Sequence, residues 1–131
     1  MTGEAQTDLV APPELISSLA QVYETVADAN TSWRRGTSPA GESCVRKEFA
    51  KDGGLISFKR KAFPRLAQRS IAYRAVGTTQ GVRFYLDLIV LQQSRAQAGL
   101  AFASAPTPFP HDEEVRLARI VAGRMVNAMR R

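Results

Sequence analysis

The chain is predicted to be an α+β protein: an antiparallel β-sheet of about five strands flanked by an N-terminal and a C-terminal helix, an α/β/α sandwich. Three observations carry this prediction. First, Arg83–Gln92 is apolar on both faces, with Phe84, Leu86, Leu88 and Val90 on one side and Tyr85, Ile89 and Leu91 around Asp87 on the other. A strand of that kind lies mid-sheet and needs cover on both sides. Second, Ala96–Ser104 follows after a short polar reversal at Gln93-Ser94-Arg95, with Ala98, Leu100 and Phe102 on one face. Third, two one-faced helical patterns stand at the two ends of the chain to supply that cover.

Taken in order, residues 1–11 read as a disordered lead and 12–131 as a single domain. Pro12 and Pro13 suit a helix start, and Leu15, Ile16, Leu19, Val22, Tyr23 and Val26 recur at helical spacing, predicting a helix to about Asp28. Residues 30–43, with Gly36, Pro39 and Gly41, read as a loop in which Trp33 anchors to the domain edge. Cys44–Phe49 and Leu55–Lys61 read as strands joined by a hairpin turn at Lys51-Asp52-Gly53-Gly54. The density of Lys59, Arg60 and Lys61 marks the second as an edge strand. Residues 62–68 are a connector through Pro64. Ser70–Val76 is a strand, and Gly77-Thr78-Thr79-Gln80-Gly81 turns the chain into the central strand. Pro106, Pro108 and Pro110 end the sheet, and Asp112 is the expected cap of the last helix. Glu113 and Glu114 then match its dipole, while Leu117, Ala118, Val121, Ala122, Met125, Ala128 and Met129 form its buried half.

The 131 residues suffice for a sizeable core, and 44% hydrophobic with 23% charged residues is ordinary for a globular domain. No apolar run approaches the roughly 18 residues that span a bilayer. The opening MTGEAQTDLV has neither the basic start nor the apolar run of a signal peptide. A cytoplasmic location is therefore expected unless a targeting segment precedes this sequence. The single cysteine, Cys44, excludes an intramolecular disulfide and reads as a half-buried strand residue.

Charge is uneven within the net +6. Residues 1–30 carry five acids and no Lys or Arg, whereas 34–74 carry 11 basic residues and three acids. Such a field attracts anionic partners. The densest part, Lys59, Arg60, Lys61, Arg65 and Arg69, interleaves with Phe58 and Phe63. It lacks a recognised nucleic-acid-reading motif, so nucleic acid is disfavoured as a partner.

The residues for chemistry are few. His111 is the only histidine and has no nucleophile beside it in sequence. One His and one Cys are too few for a metal site, and Gly53-Gly54 is not followed by the Lys-Ser/Thr of a phosphate loop. No metal, no cofactor and no catalytic residue is expected, and the chain is expected not to be an enzyme. Asp87 is the exception on the central strand. A turn around Thr79-Gln80 places Arg74 diagonal to it on the Tyr85 face, which suits an ion pair. The other reading of Asp87, with Tyr85 and Arg74, is a polar anchor in an apolar ligand cavity.

The strings FPRLAQRSIAYRA (63–75) and FYLDLIVLQQSRAQAGLAFASAPTPFP (84–110), with ARIVAGRM (118–125), carry a resemblance. Over residues 44–129 the chain resembles the extracytoplasmic lipoprotein and sensor-type domains of mycobacteria and related actinobacteria, which are similar to the Mog1/PsbP fold. Where that family has a Gly-Asp pair this chain has Ala67-Gln68, and Ser94 stands where the family has a hairpin glycine. The resemblance implies an antiparallel sheet between helices and a role that is not enzymatic. It points to a binding or sensor-type domain of the cell envelope, with a lipid, another envelope component or a protein as partner. The expected ligand site is an apolar cavity between sheet and helix. The alternative is a cytoplasmic interaction module that docks anionic partners (nucleic acid, acidic protein or lipid headgroups) through the basic 46–74 region.

Overall fold

A computed structural model describes residues 2–11, 14–51 and 53–130. Among them the chain forms β1 (Gly3–Ala11), β2 (Glu14–Val22), α1 (Val26–Thr37), α2 (Pro39–Ala50) and β3 (Leu55–Arg60). These are followed by β4 (Arg69–Thr79), β5 (Val82–Gln93), β6 (Ala96–Ser104) and α3 (His111–Met129). The strands make one antiparallel sheet in the order β1-β2-β6-β5-β4-β3. The fold class is α+β, with six strands where about five were expected.

The central strand sits as its two apolar faces require, between β4 and β6. On one face α3 packs over Ile89, Leu91, Ala98, Leu100 and Phe102 through Ala118, Ala122 and Met125. Side chains buried as fully as Phe102 and Ile89 contribute on the order of 1.5–3 kcal/mol each. On the other face α2 packs Val45 and Phe49 onto Phe58, Tyr73 and Ala75. β3 lies at the sheet edge, as Lys59 and Arg60 suggest.

The N-terminal third differs from the sequence reading. Residues 3–11 pair with 14–22 as the β1–β2 hairpin, and β2 pairs along its length with β6. They are neither a disordered lead nor a helix; Pro12 and Pro13, expected to start that helix, lie outside the described residues. Ile16, Ser18, Ala20 and Val22 also alternate, and the open edge of β6 offers this segment a full ladder of backbone bonds, which outweighs its helical spacing.

The helices on that face come from the stretch read as loop and strand. Thr25 caps α1 by accepting from the Asp28 backbone N–H at 3.0 Å. Ser38 caps α2 from the Gly41 N–H at 3.1 Å, with Pro39 in the first turn. Cys44–Phe49 is therefore helical, Cys44 is exposed, and the segment expected to be a hairpin turn lies between α2 and β3 rather than between two strands. Trp33 lies half-buried on α1.

Two smaller corrections set the site geometry. The β4–β5 ladder runs out to Thr79 opposite Val82, so the turn is only Gln80-Gly81, both with positive φ (52° and 78°). At α3 the cap position belongs to Pro110, whose carbonyl accepts from the Glu114 N–H at 3.1 Å, and Asp112 lies inside the first turn. Ala128, expected in the buried half of α3, is exposed.

Candidate functional site

The two-residue turn brings Arg74 directly opposite Asp87, not diagonal to it. Asp87 is fully buried, and Arg74 grips it with a two-pronged hydrogen bond, Nε to Oδ1 at 2.7 Å and a terminal N–H to Oδ2 at 2.9 Å. Lys61, on the same side of the sheet just beyond β3, donates to Oδ2 at 2.9 Å. It also contacts the carboxyl of Glu114, a fully buried residue of the first turn of α3. The Arg74 guanidinium lies over the Tyr85 ring, 5.9 Å from its centre.

Burial alone would raise the Asp87 carboxyl, but the hydrogen bonds from Arg74 and Lys61 and the Glu114 carboxyl beside them outweigh it and hold the group at about 2. Glu114 goes the other way. Burial and the Asp87 carboxylate beside it push it up to about 8 against the pull of Lys61. The Lys61 contact has the geometry of an ion pair, yet burial and Asp87 are the larger influences and push the Glu114 carboxyl toward its neutral form. Its Oε2 has no hydrogen-bond partner among the described residues. The cluster ties the β3 edge, β4, β5 and α3 together, and neither carboxyl lines any of the cavities described below.

Of the residues picked out from sequence, Asp87, Arg74, Tyr85 and Lys61 thus come together, and the others do not join them. Arg60 turns to the opposite face and pairs with Glu42 at 2.8 Å. Glu42 also accepts from the Tyr73 hydroxyl at 2.6 Å. That Tyr73 bond and Arg60 keep Glu42 below its usual range, and burial followed by Glu42 raises Tyr73. Arg65 donates to the carbonyls of its own loop at Ala67 and Gln68. Lys59 and Arg69 make no ion pair among the described residues. His111 is exposed, its ring edge-on to Phe63. Glu114 was read only as a dipole partner. A signal was available, because it lies four residues before Ala118 on the buried stripe of the helix.

Each helix layer leaves a hollow against the sheet. Under α1 and α2 is a cavity of about 230 Å³ walled by Trp33, Val45, Phe58, Tyr73, Leu88 and Val90. Polar groups on its wall are already bonded within the chain: Ser32 with Tyr23 at 2.8 Å, and Glu42 with Tyr73. The second hollow, about 290 Å³, runs between α3 and the β1–β2 side of the sheet. There α3 rides over β5 and β6, so β2 and β1 extend beyond it. The groove floor is a line of three alanines, Ala5, Ala20 and Ala98, paired in register across β1, β2 and β6. Val121, Met125 and Met129 form the α3 wall, and Arg124 stands at the rim. Small floor residues make the depth, and methionine side chains let the wall adapt to what fills it.

No family model matches the chain, and no curated protein does. Among solved structures it is similar to a protein of unknown function from Pseudomonas aeruginosa, described as a candidate regulator. The two are 15% identical, the match covers 90% of this chain and 79% of that one, and the TM-score is 0.41. No described helix is long and apolar enough to cross a membrane.

Proposed function

We propose that the protein is a non-catalytic binding domain that holds an apolar ligand in the groove between α3 and the β1–β2–β6 side of the sheet. The observation that carries this reading is the groove itself: about 290 Å³, apolar on floor and wall, and open to solvent along one side. The cavity beneath α1 and α2 is smaller, and its polar groups are spent on internal bonds. Asp87 serves this reading as a structural tie that fixes α3 over the sheet, not as a ligand anchor. Docking of anionic partners through the 46–74 region has less support. Arg46, Arg60, Lys61, Arg65 and Arg74 are all engaged within the chain.

The likeness to actinobacterial lipoprotein and sensor-type domains with a Mog1/PsbP-like fold belongs to the same proposal. A sheet covered by helices on both faces supports it. A cell-envelope location rests on that likeness alone, and fractionation of the native host tests it.

The ligand reading is tested with N-phenyl-1-naphthylamine, a neutral apolar dye that brightens when it leaves water. Saturable brightening is expected with the wild type. An Ala20→Trp variant fills the groove from an exposed strand position, and dye affinity should fall at least about tenfold. No saturable signal, or equal affinity in a folded Ala20→Trp protein, overturns the proposal.

A further inference from the structure

We infer that the groove selects a single-chain amphiphile with an anionic head, its chain over the alanine floor and its carboxylate on Arg124. This rests on the apolar-ligand reading above and adds the head group to it. Arg124 is the one charged side chain among the residues that line the groove. It is exposed and makes no ion pair or hydrogen bond among the described residues. Among the described residues no carboxylate competes for it there. α3 carries no acid after Glu114, and the groove side of β2 presents Ser18, Ala20 and Val22. The nearby Glu4 lies on the opposite sheet face, where it accepts from Gln21 at 3.4 Å.

A charge at the mouth of an apolar trough selects by sign as well as by length. An ammonium head would bring like charge against Arg124, and a hydroxyl would leave the guanidinium with water. Arg124 is five residues before the end of α3 at Met129, so the negative pole of the helix, felt within the last turn, opposes the anion only weakly. The net charge of +6 adds a favourable long-range field, screened beyond about 8 Å at physiological salt.

The test is displacement of N-phenyl-1-naphthylamine by decanoate, decanol and decylammonium, all below their aggregation thresholds, for the wild type, Arg124→Gln and Arg119→Gln. The wild type should bind decanoate about fivefold more tightly than decanol, as expected for one exposed charge pair, and decylammonium most weakly. Arg124→Gln should bring decanoate and decanol together. Arg119→Gln, an exposed α3 position outside the groove, should keep the gap. Equal affinities for decanoate and decanol in the wild type overturn the head-group inference and leave the apolar reading standing. A gap that survives Arg124→Gln moves the anion elsewhere and also overturns it. If the dye does not bind the wild type at all, the groove reading falls and this inference falls with it.

Discussion

Arg74 stands directly across the β4–β5 ladder from Asp87 and holds its carboxylate with bonds of 2.7 and 2.9 Å. That pairing is set by a turn of only two residues, Gln80 and Gly81. A one-residue slip in register would send Asp87 to the other face of the sheet, away from Lys61 and Glu114. A local turn thus decides whether a charge on the central strand is compensated.

Replacing Asp87 with Asn should destabilise the fold by about 3 kcal/mol or more, because Arg74 and Lys61 would lose the anion between them. Glu114→Gln should cost far less, since burial and Asp87 already push that carboxyl toward its neutral form. Urea unfolding of both variants checks the contrast. Equal losses would mean that Glu114 is ionised in the folded protein.

The same cluster makes stability depend on pH in a defined direction. Glu114 is raised from 4.5 to about 8 on folding, so its contribution is full below about pH 4.5 and is lost as pH rises through 8. Asp87 is lowered from 3.8 to about 2, so its contribution is full above about pH 4 and is lost as pH falls toward 2. Stability from these two groups should peak between about pH 4 and 5. Unfolding midpoints measured from pH 3 to 9 should show the alkaline decline, and Glu114→Gln should flatten it.

Ser94 takes a positive φ of 54° in the β5–β6 turn, a conformation glycine adopts with less strain. Its N–H donates to the Gln68 side chain at 2.7 Å, and the Gln68 N–H donates to Gln93 at 3.1 Å. Gln68 and the β5–β6 turn are therefore bonded to each other in both directions. Ser94→Gly keeps the backbone bond and should stabilise the protein by about 1 kcal/mol in thermal unfolding.

Removing the Tyr73 hydroxyl should cost about 1–2 kcal/mol, because its 2.6 Å bond to Glu42 is charge-assisted and ties β4 to α2. Tyr73→Phe leaves the ring stacked on Phe58 at 5.3 Å, so the loss reports the bond rather than packing. Thermal unfolding of the variant beside wild type reads it.

The C-terminal half of the fold was legible because each signal there had one reading. Val82–Ser104 is too apolar on both faces to be anything but central sheet, and α3 has one stripe and a proline-rich lead. The N-terminal half carried signals with two readings. Leu15, Ile16, Leu19 and Val22 fit a helix, while Ile16, Ser18, Ala20 and Val22 fit a strand, and only the free edge of β6 decides between them. The helices at 26–50 have weak apolar faces, yet their starts are written in Thr25 with Asp28 and in Ser38-Pro39. Asp87 and Arg74 could be paired from sequence. The groove could not, since its floor joins Ala5, Ala20 and Ala98 from three strands whose neighbourhood depends on the misread hairpin.

The groove reading is tested most directly by the methyl signals of Met125 and Met129, labelled with ¹³C, during titration with decanoate. Both side chains line the groove wall. Both signals should shift along one saturable curve while the methyls of Val45 and Leu88, in the cavity on the opposite face, stay in place. Unmoved methionines, or shifts confined to Val45 and Leu88, would contradict it.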